Sequence, residues 1–339
     1  MKIVWISSCN PVEFDVRRSS WHISDLDCVF YCTYMKEEES YLDHGNLYGQ
    51  GREGIKDILD RAFAEKPDLV ILKYPFFVLR YGLTNHLLEL GKKVPFVVWC
   101  SEQGPTRDFA FENASPFPRI AVNNLMDVKY YREKLPDTKI YYLPFGSASY
   151  MQDELVSHNQ YKSDLLADSK CHYTCHEYGA AKKKSCDVMI VPILDKDIAL
   201  YGAENYRHGW AGVPGAITKW RGKYFLSDVN KLYSSTKLYL GITWNWNYGG
   251  YGIKLARCLG IGVPLLWHYT IGMENEFERG NQLDWSSTPE ETRERVEYYL
   301  SHDRDRIEMG RRGKEYADHH LNWGRNLMRL VEEVRSELC

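Results

Sequence analysis

Four short, almost unbroken apolar runs punctuate the start of the chain: KIVWIS (2–7), DCVFYCT (27–33), DLVILKYP (68–75) and PFVVWC (95–100). None shows the apolar-polar alternation of a strand with one wet face, so each predicts a strand buried on both sides. Between the later runs lie GIKDILDRAFAEK (54–66) and GLTNHLLELGKK (82–93), whose apolar residues recur at helical spacing. RIAVNN (119–124), LMDVKYYREKL (125–135) and KIYYLPFG (139–146) continue the alternation. Strands of this kind separated by helices predict a parallel sheet covered on both faces, a doubly wound α/β domain over residues 1–146.

In such sheets ligands bind in loops beyond the carboxyl ends of the strands. Three of these loops are SSCNP (7–11), YPFFVLRYG (74–82) and SEQGPTRDF (101–109). Glu102 and Asp108 are the acid or base candidates there, because a carboxylate at a strand end faces the ligand side. A role for both as turn formers or helix caps stays open. His22 and His44 have no partner visible in the sequence.

Residues 147–185 turn polar and Tyr-rich and are expected to form a connector. Cys171, His172, Cys175, His176 and Cys186 fall close together in CHYTCHEYGAAKKKSCD (171–187). Thiolate and imidazole are zinc's preferred ligands, but the spacing matches no familiar zinc motif, and a solvated loop is the competing reading. No metal is expected at the main site.

A second doubly wound unit is expected over 186–322, opening with strands CDVMIVPI (186–193) and KDIALYG (196–202). The interval between those two is too short for a parallel crossover, which needs about a dozen residues. ITKWRG (217–222) predicts a further strand, and LSDVNKLYSSTKLYLGI (226–242) a helix running into a strand. Next comes YGGYGIKLARCLGIGVPLL (248–266), where a glycine turn opens a helix bearing Lys254 and Arg257. Free backbone N–H groups at a helix start, with cations beside them, form an anion site suited to a phosphate. The N–H groups of Gly250, Tyr251, Gly252 and Ile253 are the donors of that site, and Arg221 is a further cation. Tyr201, Gly202 and Tyr251 are candidate walls for a base or sugar, and Glu276 for binding hydroxyls. After Thr288 and Pro289, which predict a capped helix start, the chain is helical to its end; residues 323–339 form a last helix expected to pack back on the first domain.

Composition narrows the function. The formal net charge of −3 does not advertise a nucleic-acid binder. Aromatic residues make up 14% of the chain, including 25 Tyr and 10 Trp, side chains that suit sugars and nucleobases as well as ordinary cores. Nine scattered cysteines point to a reducing compartment. No apolar run reaches the roughly 20 residues of a bilayer span. A cytoplasmic protein is expected.

The order WRG, SDVNKLYSSTKLYLGI, GYGIKLARCLGIGVPLL, MENEF and STPEETRERVEYYL resembles the C-terminal domain of the spore-maturation-type, CgeB-like glycosyltransferases. PDLVILKYP, VPFVVWCSEQGP and IYYLPFG are similar to the N-terminal half of that family. The resemblance implies a GT-B fold, two Rossmann-like domains facing a central cleft, with transfer of a sugar from a nucleotide-sugar co-substrate and no cofactor. It also implies an acceptor that is a glycan, a small molecule or a modified nucleobase in DNA. Many GT-B enzymes carry a pair of glutamates around this glycine turn; Gly249 and Arg257 occupy those positions here. Lys254 resembles the basic residue that CgeB-like members carry just inside the helix. A non-catalytic descendant that binds a nucleotide or sugar is the alternative expectation.

Overall fold

The structure is a computed structural model that describes residues 1–7, 26–32, 51–73, 75–101, 107–148, 150, 155–169, 176–202, 210, 213–222, 228–243 and 249–338. The chain divides into two compact units, Met1–Ala148 with Asn322–Cys339, and Ser149–Leu321.

The first unit is built on a six-stranded sheet with the order β2-β1-β3-β4-β5-β6. Its strands are β1 (Lys2–Ser7), β2 (Asp27–Cys32), β3 (Leu69–Lys73), β4 (Phe96–Cys100), β5 (Arg119–Val122) and β6 (Lys139–Tyr142). All neighbours run parallel, with Val4 opposite Val29 and Val70, and Val98 opposite Leu72 and Ile120. Every residue of β3 and β4 is buried, as strands covered on both faces must be.

On one face Val4, Ile6, Val70, Leu72 and Val98 pack with helix α1 (Gly51–Ala64), whose Ile55, Ile58, Leu59, Ala62 and Phe63 form the buried stripe. Side chains alternate along a strand, so Trp5 and Trp99 stand on the other face. There they meet Trp323, which follows Asn322 where the chain re-enters this unit. The short helices α2 (Phe76–Arg80), α3 (Thr84–Gly91), α4 (Arg107–Ala114) and α5 (Leu125–Lys134) complete the described part. Asn124 caps α5 by accepting from Asp127 N at 2.7 Å.

The second unit holds another six-stranded parallel sheet, ordered β12-β11-β10-β7-β8-β9. It comprises β7 (Ser163–Ser169), β8 (Ile198–Gly202), β9 (Trp220–Gly222), β10 (Thr236–Gly241), β11 (Leu265–His268) and β12 (Asp284–Ser286). Helices α6 (His176–Met189), α7 (Val229–Tyr233), α8 (Ile253–Ile261), α9 (Pro289–Ser301) and α10 (Asp303–His320) belong to it, and α11 (Trp323–Leu338) belongs to the first unit.

Two expectations are corrected here. The strand expected at 186–193 is instead the end of α6, followed by a short 3-10 turn at Val191–Ile193. Val188, Met189, Ile190 and Ile193 are buried in one cluster, and so short an apolar run cannot by periodicity alone be told from a strand. The segment expected to be a polar connector contains β7, a central strand of the sheet. With β7 in place, α6 supplies an ordinary crossover from β7 to β8, and the short interval that sequence implied disappears.

Close packing explains the glycines of α10. A Cβ on Gly313 would meet the Gln282 carbonyl oxygen at 2.6 Å and Leu259 of α8 at 2.9 Å. Thr288 starts α9 as expected, accepting from Glu291 N at 3.2 Å, while the Glu291 carboxylate reaches back to Ser287 N at 2.8 Å.

Candidate functional site

In a doubly wound sheet the ligand crevice opens where successive connections leave in opposite directions. In the second unit that place lies between β7 and β10, because β8 follows β7 on one side and β10 lies on the other. The carboxyl ends of these strands carry Asp168 and Gly241, and the chain leaving β10 returns as α8.

The turn before α8 is formed by glycines. Gly249 and Gly250 have φ of 86° and 74°, a left-handed conformation that costs a glycine nothing and a residue with a Cβ a good deal. Gly252 then takes the N-cap position with extended backbone, and no side chain caps the helix. A glycine at the N-cap has no side chain to occupy the start of the helix, and a helix start of this kind is suited to anions.

Lys254 stands in this first turn. Its Nζ lies 2.7 Å from Asp168 Oδ2 and donates to the Asp168 carbonyl oxygen at 2.8 Å. Asp168 is fully buried, whereas the Lys254 side chain is 25% exposed. Tyr233 OH donates to Asp168 Oδ1 at 3.0 Å, and Tyr239 OH donates to the same oxygen. A buried carboxylate without such partners would be costly, so the two hydroxyls and the ammonium together account for its presence. The pair also marks its surroundings: burial pushes the Cys258 thiol well up, the Asp168 carboxylate adds to this, and Lys254 and Arg257 oppose it.

Lys254 is thus brought to the crevice with the Gly250–Ile253 turn, and the other expected residues divide. Arg257, one turn further along α8, is buried at 5% exposure, which turns it into the protein. The Tyr251 ring is buried and packs on Phe277 at 5.4 Å, so its face is spent on the core. Tyr201 is buried beside Tyr161, with ring centroids 6.1 Å apart, and Gly202 ends β8. Arg221 donates to Lys162 O at 2.9 Å and to Asp197 Oδ1 at 3.2 Å. Those partners precede β7 and β8, so its guanidinium is turned toward the amino edge, although its place in β9 is beside Leu200 and Tyr201 in the carboxyl half of β8. Glu276, half-buried, lies on the connection leaving β11; the Tyr316 hydroxyl near it is pushed up to about 12, mainly by burial and then by this carboxylate.

In the first unit Asp108 is exposed in the first turn of α4 and accepts from Tyr130 OH at 3.3 Å. Glu102, His22, His44, Cys171, His172 and Cys175 lie outside the described residues, as does the His176 side chain. Cys186 is buried. Among the described residues no group of three or more His, Cys, Asp or Glu is placed to hold a metal. No helix among them is long and apolar enough to cross a membrane.

Sequence reasoning missed Asp168, Tyr233 and Tyr239. The available signal was the run SDLLADS, in which a carboxylate closes a short apolar stretch as it would at the carboxyl end of a strand. It also missed Lys73, which ends β3 where the first sheet has its own reversal, between β1 and β3. Lys73 is 1% exposed, with its ammonium 5.3 Å from the centroid of the Trp99 ring.

Residues 187–332 match a protein-family model described as glycosyl transferase-like. No curated protein matches the chain. Among solved structures, HepE of Anabaena in complex with UDP is similar over 99% of this chain and 100% of its own, at 11% identity and a TM-score of 0.66. Sucrose-phosphate synthase of Thermosynechococcus elongatus is similar over 100% of this chain and 99% of its own, at 10% identity and a TM-score of 0.66. A glycosyltransferase of Rickettsia africae covers 98% of each chain at 10% identity and a TM-score of 0.62. At such identities the likeness is one of fold. The chain has the GT-B fold, two Rossmann-like domains each built on a parallel sheet of six strands.

Proposed function

We propose that this GT-B chain is a glycosyltransferase of CgeB-like type, which takes its sugar from a nucleotide-sugar at the carboxyl edge of the second sheet. The observation that carries the reading is Lys254: a partly exposed lysine in the first turn of α8, behind a glycine N-cap, at the strand reversal, inside the segment that matches the glycosyl transferase-like model. UDP is the nucleotide favoured by similarity, because HepE was solved with UDP and with UDP-glucose.

Breaking the bond from sugar to diphosphate builds negative charge on the leaving oxygens. Fixed donors aimed at that charge supply the largest catalytic term in most such reactions. In this reading the N–H groups of the Gly250–Ile253 turn and the Lys254 ammonium supply it, without a metal. Arg257, buried behind them, adds a positive field and makes no contact with the leaving group. Glu276 binds sugar or ribose hydroxyls from the neighbouring connection. Arg221, already bonded to Lys162 O and Asp197, is given no role in this reading. The acceptor, a glycan or a small molecule, is deprotonated by Glu102 or Asp108 of the first unit if the reaction inverts the anomeric centre. The protein acts in the cytoplasm.

Titration calorimetry with UDP, GDP and ADP, followed by chromatography of the matching nucleotide-sugars, tests the reading. One nucleoside diphosphate binds, its sugar donor is slowly hydrolysed, and both responses fall in Lys254→Met. No response to any of the three would sink it.

A second reading is a nucleotide-binding protein without turnover. The positions of the glutamate pair hold Gly249 and Arg257, and Lys254 already has a carboxylate partner. Binding without donor hydrolysis or transfer to a broad acceptor panel would favour it.

A further inference from the structure

Lys254 does not wait for a ligand as a free cation. An ammonium has three N–H donors, and two of them are spent on Asp168, one on the side chain and one on the main-chain carbonyl. The third N–H and the exposed part of the side chain remain for a ligand. Asp168 divides its carboxylate differently: Oδ1 receives the hydroxyls of Tyr233 and Tyr239, and Oδ2 receives Lys254. The two tyrosines are buried, and their bonds to Oδ1 do not run through the ammonium. The carboxylate is therefore equipped to lose its ion-pair partner and still keep hydrogen bonds.

We infer that Asp168 is a positioning residue that competes with bound diphosphate for the Lys254 ammonium, limiting the affinity for the nucleotide left after transfer. This rests on the proposed donor site. With the ligand absent, Lys254 is parked against Asp168 at the strand reversal. With a diphosphate bound, the ammonium leans outward and Tyr233 and Tyr239 hold the carboxylate. When the nucleotide leaves, the pair closes again. A site with the same lysine and no such carboxylate would grip the diphosphate harder and release it more slowly.

The test is titration of the full chain with UDP. Replacing Asp168 by asparagine keeps the shape and the acceptor oxygen for the tyrosines and removes the charge that holds Lys254. Asp168→Asn is expected to bind UDP about tenfold more tightly than wild type, the scale of one hydrogen bond to a charged group. In Asp168→Asn/Lys254→Met the tightening is lost relative to Lys254→Met alone. Tyr233→Phe and Tyr239→Phe move the other way, weakening UDP binding roughly two- to fivefold, because a carboxylate with fewer donors holds its ammonium harder. A merely structural role would lower the folded fraction and would never tighten binding.

Unchanged or weaker UDP binding in Asp168→Asn, or tightening that persists without Lys254, overturns the inference and leaves the donor site standing. If Asp168→Asn does not fold, the tyrosine variants decide: weaker binding supports the competition, and unchanged binding removes it. Wild-type protein that ignores UDP, GDP and ADP removes the donor site and this inference together.

Discussion

Trp323 stands edge-on to Trp99, with ring centroids 5.6 Å apart and planes at 89°. Trp5 completes the group, edge-on to both at 5.4 and 6.1 Å. Strands β1 and β4 and the last helix therefore share one aromatic cluster, although Trp323 lies far along the chain from the other two. Trp323→Ala should destabilise the first unit by about 3–5 kcal/mol, the range for emptying a buried large aromatic site. Urea unfolding followed by tryptophan fluorescence reads the loss, and a change under about 1 kcal/mol would show that α11 is dispensable to that core.

Helix α10 lies so close to its neighbours that a methyl group has no room at Gly313. Gly313→Ala would place a carbon 2.6 Å from a backbone carbonyl oxygen, which cannot swing aside as a side chain can. The gain in helix propensity from alanine, about 1 kcal/mol, is outweighed by overpacking of about 1–3 kcal/mol. Thermal unfolding should show a net loss; a stabilised variant would mean that α10 is free to shift.

Lys254→Met keeps the length and apolar stem of the side chain and deletes the ammonium. UDP affinity should fall about tenfold, as befits one charge-assisted hydrogen bond. The variant also leaves Asp168 buried without its cation, so a lower melting temperature should accompany the weaker binding. Unaltered UDP affinity would place the diphosphate elsewhere.

His268, at the carboxyl end of β11, is held down to about 4, chiefly by burial and then by Lys184. The unfolded chain protonates this ring near pH 6.5, so between 6.5 and 4 the unfolded state binds more protons than the folded one. Stability should therefore fall as pH drops through that window, by roughly 3 kcal/mol when complete, and show no contribution from this group above it. His268→Asn flattens the dependence. Equal urea midpoints for wild type at pH 7.5 and 4.5, after matching the same comparison in the variant, would contradict the assignment.

The first sheet was announced by its strands, because short apolar runs such as LVIL, set between segments of helical periodicity, suit the middle of a parallel sheet. β7 escaped for the opposite reason. Its LLA centre is short, and Asp164 and Asp168 give it the look of a loop until their partners are known. The end of α6 was mistaken for a strand because VMIVPI is apolar on every side. The glycine turn and Lys254 were legible locally, since a helix start and its donors are contained in a few consecutive residues. The acceptor that holds Lys254 was not, because it lies 86 positions away and only the assembled sheet brings the two together.

The return of the chain to its first unit bears on how the protein is made. Strands β1 to β6 leave the ribosome long before Trp323 does, and the indoles of Trp5 and Trp99 spend that interval without their final lid. Exposed aromatic surface on a nascent sheet invites premature association, so chaperone attendance is expected to last until Trp323 has emerged. A stop codon just before Trp323 would make that exposure permanent.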